Sequence, residues 1–108
     1  MKNFIPILKA LADENRLRII HMLLAHDLCV GALASRLSIS TAAVSQHLKI
    51  LRKAGLVRGE KRGYFTHYVV ERDVLKQVSA GLAEISNQTP GPAGIHSITL
   101  PMATTNMK

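Results

Sequence analysis

Few residues of this 108-residue chain carry the chemistry of catalysis. Its single cysteine, Cys29, excludes an intramolecular disulfide, and its seven Asp and Glu are scattered rather than paired. No phosphate-cradling glycine loop or other catalytic motif is present, so an enzyme is not expected. The nearest approach to a ligand group is Cys29 with His26 three residues before it and His21 further back. Three readings of Cys29 follow. It is a metal or metalloid ligand, shared with histidines or with a partner subunit, or a thiol that senses oxidants and electrophiles, or a small core hydrophobe.

A different chemistry runs through residues 36–62. Arg36, Lys49, Arg52, Lys53, Arg58, Lys61 and Arg62 stand there against Glu60 alone, so this window holds +6 of the chain's formal +7. A merely solvated face interleaves its signs, whereas clustered cations are the footprint of phosphate binding. Among them lie Ser40, Thr41, Ala42, Ser45 and Gln46, short hydrogen-bonding or apolar side chains suited to base edges. His47 belongs to the same run and is expected to meet phosphate rather than metal. Lys49, Arg52, Lys61 and Arg62 are the expected phosphate contacts. The partner implied is double-stranded DNA. RNA readers stack bases on exposed aromatics. Here only Phe4, Tyr64, Phe65 and Tyr68 are aromatic, and the last three are expected to pack within a hairpin and the core.

These residues need elements that position them. Phe4, Leu8 and Leu11 recur at helical spacing, and Pro6 is tolerated in a first turn. Asp13 can cap a second helix with Leu17, Ile20 and Leu24 on one face, widened by Ile19 and Leu23. Asp27 is the expected cap of a third helix, with Val30, Leu33, Ala34 and Leu37 inward. Ser40 caps a fourth that runs through Val44, Leu48 and Leu51 to a stop at Gly55. The period then becomes alternating: residues 56–60 and 64–70 predict two strands joined by a Lys61-Arg62-Gly63 turn. Helical spacing returns from Glu71 through Val74, Val78, Leu82 and Ile85. The prediction is a mainly α fold with a small β-hairpin, in the order α-α-α-α-β-β-α. Residues 1–86 form one domain, and residues 87–108, rich in Pro, Gly, Ser and Thr, form a flexible tail. The third and fourth helices, joined by about three or four residues, have helix-turn-helix spacing.

The run from Leu8 to Ile20, Leu-Lys-Ala-Leu-Ala-Asp-Glu-Asn-Arg-Leu-Arg-Ile-Ile, resembles the opening of the ArsR/SmtB repressors. Residues 41–57 resemble their recognition helix and its exit, and Gly63-Tyr64-Phe65-Thr66-His67-Tyr68 sits where their wing has a Gly-aromatic pattern. The resemblance implies a winged helix-turn-helix repressor that dimerises through its first and last helices. It would bind a palindromic operator and release it to an inducer, in many members a metal or metalloid. Two departures stand out. Ser38 occupies a turn position that often holds Gly in the family. Leu28-Cys29-Val30-Gly31 keeps only one thiol of the Cys-Val-Cys sensor, and Asp73-Val74-Leu75 lacks the histidine of the last-helix zinc site. An organic-ligand or thiol-responsive regulator therefore stays open beside a metal sensor. So does a winged-helix interaction module that does not read DNA.

Composition agrees with a small globular domain, 47% hydrophobic and 19% charged. Neither a signal-peptide pattern nor an apolar run of about 18 residues occurs, and a cytoplasmic protein with no membrane contact is expected.

Overall fold

The computed structural model describes residues 4–91, and the expectations placed on residues 92–108 lie outside the described residues. Five helices and one hairpin follow in the order α1 (Ile5–Leu11), α2 (Glu14–Ala25), α3 (Val30–Leu37), α4 (Thr41–Lys53), β1 (Val57–Arg62), β2 (Phe65–Val70) and α5 (Arg72–Ser86). This is the predicted order.

Local chemistry explains most of the boundaries. Pro6 falls in the first turn of α1, where its missing N–H goes unnoticed. The Asp13 carboxylate caps α2 by accepting from the Arg16 N–H at 3.0 Å. Ser40 Oγ caps α4 by accepting from the Ala43 N–H at 3.0 Å. Helices α3 and α4 end alike. The Ser38 N–H donates to Ser35 O and the Ile39 N–H to Ala34 O at the end of α3. Gly55 N–H to Arg52 O and Leu56 N–H to Leu51 O repeat the pattern after α4. Both are Schellman closures, which need a left-handed residue after the last turn. Gly55 supplies it at φ 80° without penalty, and Ser38 at φ 57°. For a residue with a Cβ that conformation costs about 1 kcal/mol.

One core gathers Ile19, Leu33, Val44, Leu48, Leu51 and Leu56, all at most 1% exposed. It draws on α2, α3, α4 and the hairpin base, so each element of the helix-turn-helix is held from inside. Phe4 and Val78 form a smaller cluster with Ile5, Leu8 and Ile85, which packs α1 against α5 within one chain.

Four expectations require correction. Asp27 does not cap α3, whose N-cap is Cys29 with no side-chain bond; the carboxylate turns instead to Arg62 and His67 on the hairpin. Leu17 is 46% exposed, since the buried stripe of α2 is Ile19, Ile20 and Leu23. The apolar arc of α2 is wider than one face, and tertiary packing chose its other side. Lys61 and Arg62 are not turn residues: Lys61 pairs with Thr66 and Arg62 with Phe65, leaving Gly63-Tyr64 as the turn. Gly63 has φ 65° at the first central position, where two-residue hairpins call for glycine. Finally, Tyr64 and Phe65 do not pack inward. Moving the turn by one residue carried them to the tip, and only Tyr68 packs against the core.

Candidate nucleic-acid interface

Helix α4 sorts its side chains by period. Val44, Leu48 and Leu51 are buried, while Thr41, Ala42, Ser45, Gln46, Lys49 and Arg52 are exposed. With about 3.6 residues per turn, positions 42, 45, 46, 49 and 52 form one continuous outward stripe. That stripe combines small polar groups at its N-terminal half with cations at its C-terminal half. Ser40 stands at its head, exposed, with one lone pair of Oγ already occupied by the Ala43 N–H.

His47 is placed differently. Its Nδ1 lies 3.4 Å from an Arg16 guanidinium nitrogen and 3.9 Å from Asp13 Oδ2, with the side chain 19% exposed. The imidazole therefore faces the start of α2, off the outward stripe. Arg16 joins three elements. Besides meeting His47, its Nε donates to Ala10 O at 2.6 Å, satisfying a carbonyl at the end of α1. Ionised Asp13 is favoured here, first by the Arg16 N–H it accepts and also by the charges of Arg16 and His47, so its carboxyl titrates below its ordinary value. Sequence reading found Asp13 as a cap but missed the Arg16–His47 contact, which only a packing geometry brings together.

The hairpin divides its cations. Arg58 donates to Glu71 at 2.8 Å and to Glu60 at 2.9 Å. Arg62 donates to Glu60 at 2.8 Å and also to Asp27. His67 Nδ1 lies 2.8 Å from the same Asp27 carboxylate, and its backbone bridges to Cys29. Arg58, Glu60 and Arg62 alternate with Gly59 and Lys61, so the paired residues share one hairpin face and Lys61 occupies the other. Among the described residues Lys49, Arg52 and Lys61 belong to no ion pair. Of the four cations singled out for phosphate, three thus carry free charge and Arg62 is neutralised in place.

Cys29 is half-buried at the N-cap of α3. His21 and His26 are both exposed. No group of three His, Cys, Asp or Glu comes together to hold a metal among the described residues.

The arsR family model of bacterial regulatory proteins matches residues 13–58, from the α2 cap to the first strand. The transcriptional activator HlyU of Vibrio cholerae is 44% identical over 72 residues, which cover 67% of each chain. A solved ArsR-like transcriptional regulator from a Rhodococcus species superimposes with a TM-score of 0.71 at 31% identity, covering 77% of this chain and 78% of that one. The chain belongs to the arsR family. It is thus a winged-helix DNA-binding transcription regulator and not an enzyme. The cadmium resistance regulatory protein CadC of Listeria innocua is 42% identical over 64 residues, but the match spans only 54% of that protein. In an arsR-family frame α3 and α4 are the helix-turn-helix, β1 and β2 the wing, and Ser38 the left-handed turn residue between the two helices.

Proposed function

We propose that this regulator is a homodimeric repressor that sets α4 into the major groove of a palindromic operator. The observation that carries the reading is the outward stripe of α4, where small polar side chains give way to unpaired cations. Thr41, Ala42, Ser45 and Gln46 read base edges, with Ser40 at the head of the stripe. Lys49, Arg52 and the wing's Lys61 hold phosphates, with Arg62 a secondary contact. His47 acts from behind, through Arg16 and Asp13, on the angle between α4 and α2. Two-fold symmetry would place two such helices about 34 Å apart, one DNA turn. Leu82 of α5 is 43% exposed and, beside the α1–α5 cluster, offers apolar surface for the partner.

Residues 1–86 act as one DNA-binding and dimerising unit, and residues 87–108 as its tail. The protein works in the cytoplasm; no described helix is long and apolar enough to cross a membrane. An inducer releases the DNA. A metal or metalloid, the class that the name of the CadC relative suggests, would need ligands to join Cys29 beyond those that the described residues gather. A thiol-reactive or organic effector needs no such ligand set.

Fluorescence anisotropy on duplex DNA from upstream of the chain's own gene tests this reading. It is run at two salt concentrations, with and without arsenite, zinc, cadmium and an oxidant, for the natural chain and Cys29→Ser. Specific, salt-sensitive binding is expected, and Gln46→Ala should relax sequence preference while keeping the salt slope. Absence of sequence preference in the natural chain, or a monomer by sedimentation at micromolar concentration, would overturn it.

A further inference from the structure

Helices α1 and α4 bring the same spacing to the place where they meet. Pro6, Lys9 and Ala10 share one face of α1, and Ile50, Lys53 and Ala54 share one flank of α4 and its cap. Positions i, i+3 and i+4 fall together on a helix surface. With Arg16 from the start of α2, these side chains line a cleft of about 360 Å³, within the range of small-molecule sites. Ala10 is buried at its floor, and Ile50 offers apolar surface at 41% exposure.

All the charge in this cleft has one sign, and no carboxylate lines it. Lys9, Arg16 and Lys53 form no ion pair among the described residues. The Arg16 guanidinium is held in place by Ala10 O, Lys9 O and the His47 ring, with donors to spare. Asp13 is near enough to feel that charge, but its carboxylate is engaged by the Arg16 N–H as the cap of α2. A second cleft of the same size lies between the end of α2 and the wing. Its Asp27 and Arg62 already satisfy each other. In the first cleft like charges surround an apolar floor, and an anion set between them relieves their repulsion.

We propose that the α1–α4 cleft binds a small organic anion, a carboxylate on a short hydrocarbon body, and that this anion weakens DNA binding. The carboxylate meets Lys9, Lys53 and Arg16, while the hydrocarbon covers Pro6, Ile50 and Ala54. A bare phosphate satisfies the cations but leaves the apolar wall wet, and an uncharged alkyl chain does the reverse. The consequence for DNA rests on the operator-binding reading above; the binding of the anion does not. Two links carry that consequence. Lys53 lies one helical turn from Lys49, so the anion sets negative charge beside a cation assigned to phosphate. Arg16 touches both the cleft and His47, so the anion also bears on how α4 sits against α2. By linkage, operator DNA weakens anion binding by the same factor.

Octanoate is the probe, with octanol and inorganic phosphate beside it, each titrated into the isotope-labelled full chain at constant ionic strength. Octanoate should give saturable shifts of the Lys9, Ala10, Ile50 and Ala54 amide resonances. Octanol and phosphate should each bind about fivefold more weakly or worse, since each lacks one half of the recognition. Lys9→Ala with Lys53→Ala should weaken octanoate about fivefold, as two exposed ion pairs of ordinary strength give. Ile50→Gln should weaken octanoate and leave phosphate unchanged. Both variants should melt with the natural chain, since these side chains are exposed. In anisotropy titrations, saturating octanoate should weaken binding to the upstream duplex about tenfold, an ordinary coupling between two sites. Ile50→Gln should bind that duplex like the natural chain and need more octanoate for release. Octanol binding as well as octanoate, or octanoate shifts that neither variant alters, overturns the site. Phosphate binding as well as octanoate also overturns it, and marks the cations as a contact for the DNA backbone. Octanoate that fills the cleft without changing DNA affinity overturns the effector role. A natural chain that binds octanoate but no duplex overturns the repressor reading and the effector role, while the site itself is confirmed.

Discussion

Lys61 and Arg62 are neighbours with the same formal charge, yet only Arg62 is held in ion pairs, so different consequences for DNA binding are expected of them. Each phosphate neutralised steepens the fall of log K with log salt by about 0.9. Two wings in a dimer give Lys61→Ala a flattening of about 1.8, and counting Arg62 equally would give the double variant about 3.6. Arg62, however, bonds Asp27 and Glu60 at once. Moving its guanidinium to a phosphate takes a cation from both carboxylates close to the DNA, leaving Asp27 with His67 alone and Glu60 with Arg58 alone. Arg62→Ala should therefore leave the slope nearly unaltered, and the double variant should match Lys61→Ala. From about 50 mM to about 200 mM salt, a slope difference of 1.8 corresponds to about tenfold in relative affinity, well within the reach of anisotropy titrations. Exposed ion pairs contribute about 1 kcal/mol or less, so the Arg62 variant should also fold. If Arg62→Ala alone flattened the slope as much as Lys61→Ala, the division into paired and free cations would be wrong. If Lys61→Ala left the slope intact, the wing would not be on the phosphates at all.

Two further outcomes follow from the helix ends. Ser38→Gly removes the left-handed strain of about 1 kcal/mol but adds unfolded-state entropy of about 0.5–1 kcal/mol, so urea midpoints should rise slightly or stay level, and a clear fall would contradict the backbone reading. Asp13→Asn tests pH linkage. The folded carboxyl titrates below its ordinary 3.8. Its stabilisation is therefore fully present above that value and disappears as pH falls through the lower folded one. The stability difference between the natural chain and Asp13→Asn, read from urea unfolding, should shrink between neutral pH and about pH 3. A gap that widened on acidification would reverse the sign of the argument.

What the residues announced in order was local. The caps at Asp13 and Ser40 depend on partners three residues away, and Gly55 as a stop depends on its own φ. The burial of Val44, Leu48 and Leu51 depends on a period of 3.6, and the excess of cations over 36–62 can be counted without a fold. For the same reason, the polar stripe of α4 and the α-α-α-α-β-β-α order are legible in the sequence.

Tertiary structure decided what those local features meet. Asp27 reads as a helix cap from its neighbours, but its partners lie 35 and 40 residues away on the wing. Leu17 carries the same apolar character as Ile19, and only the direction of packing separates them. Arg62 counts as a free cation in any sum over sequence; the hairpin register puts it on the face with Glu60 and within reach of Asp27. His47, Arg16 and Ala10 share no pattern, yet one guanidinium joins them. A one-residue difference in the turn turned two expected core aromatics into the tip of the wing. Periodicity and charge are properties of a segment and survive without a fold. Pairing, register and exposure are distances between segments, and no segment holds them alone.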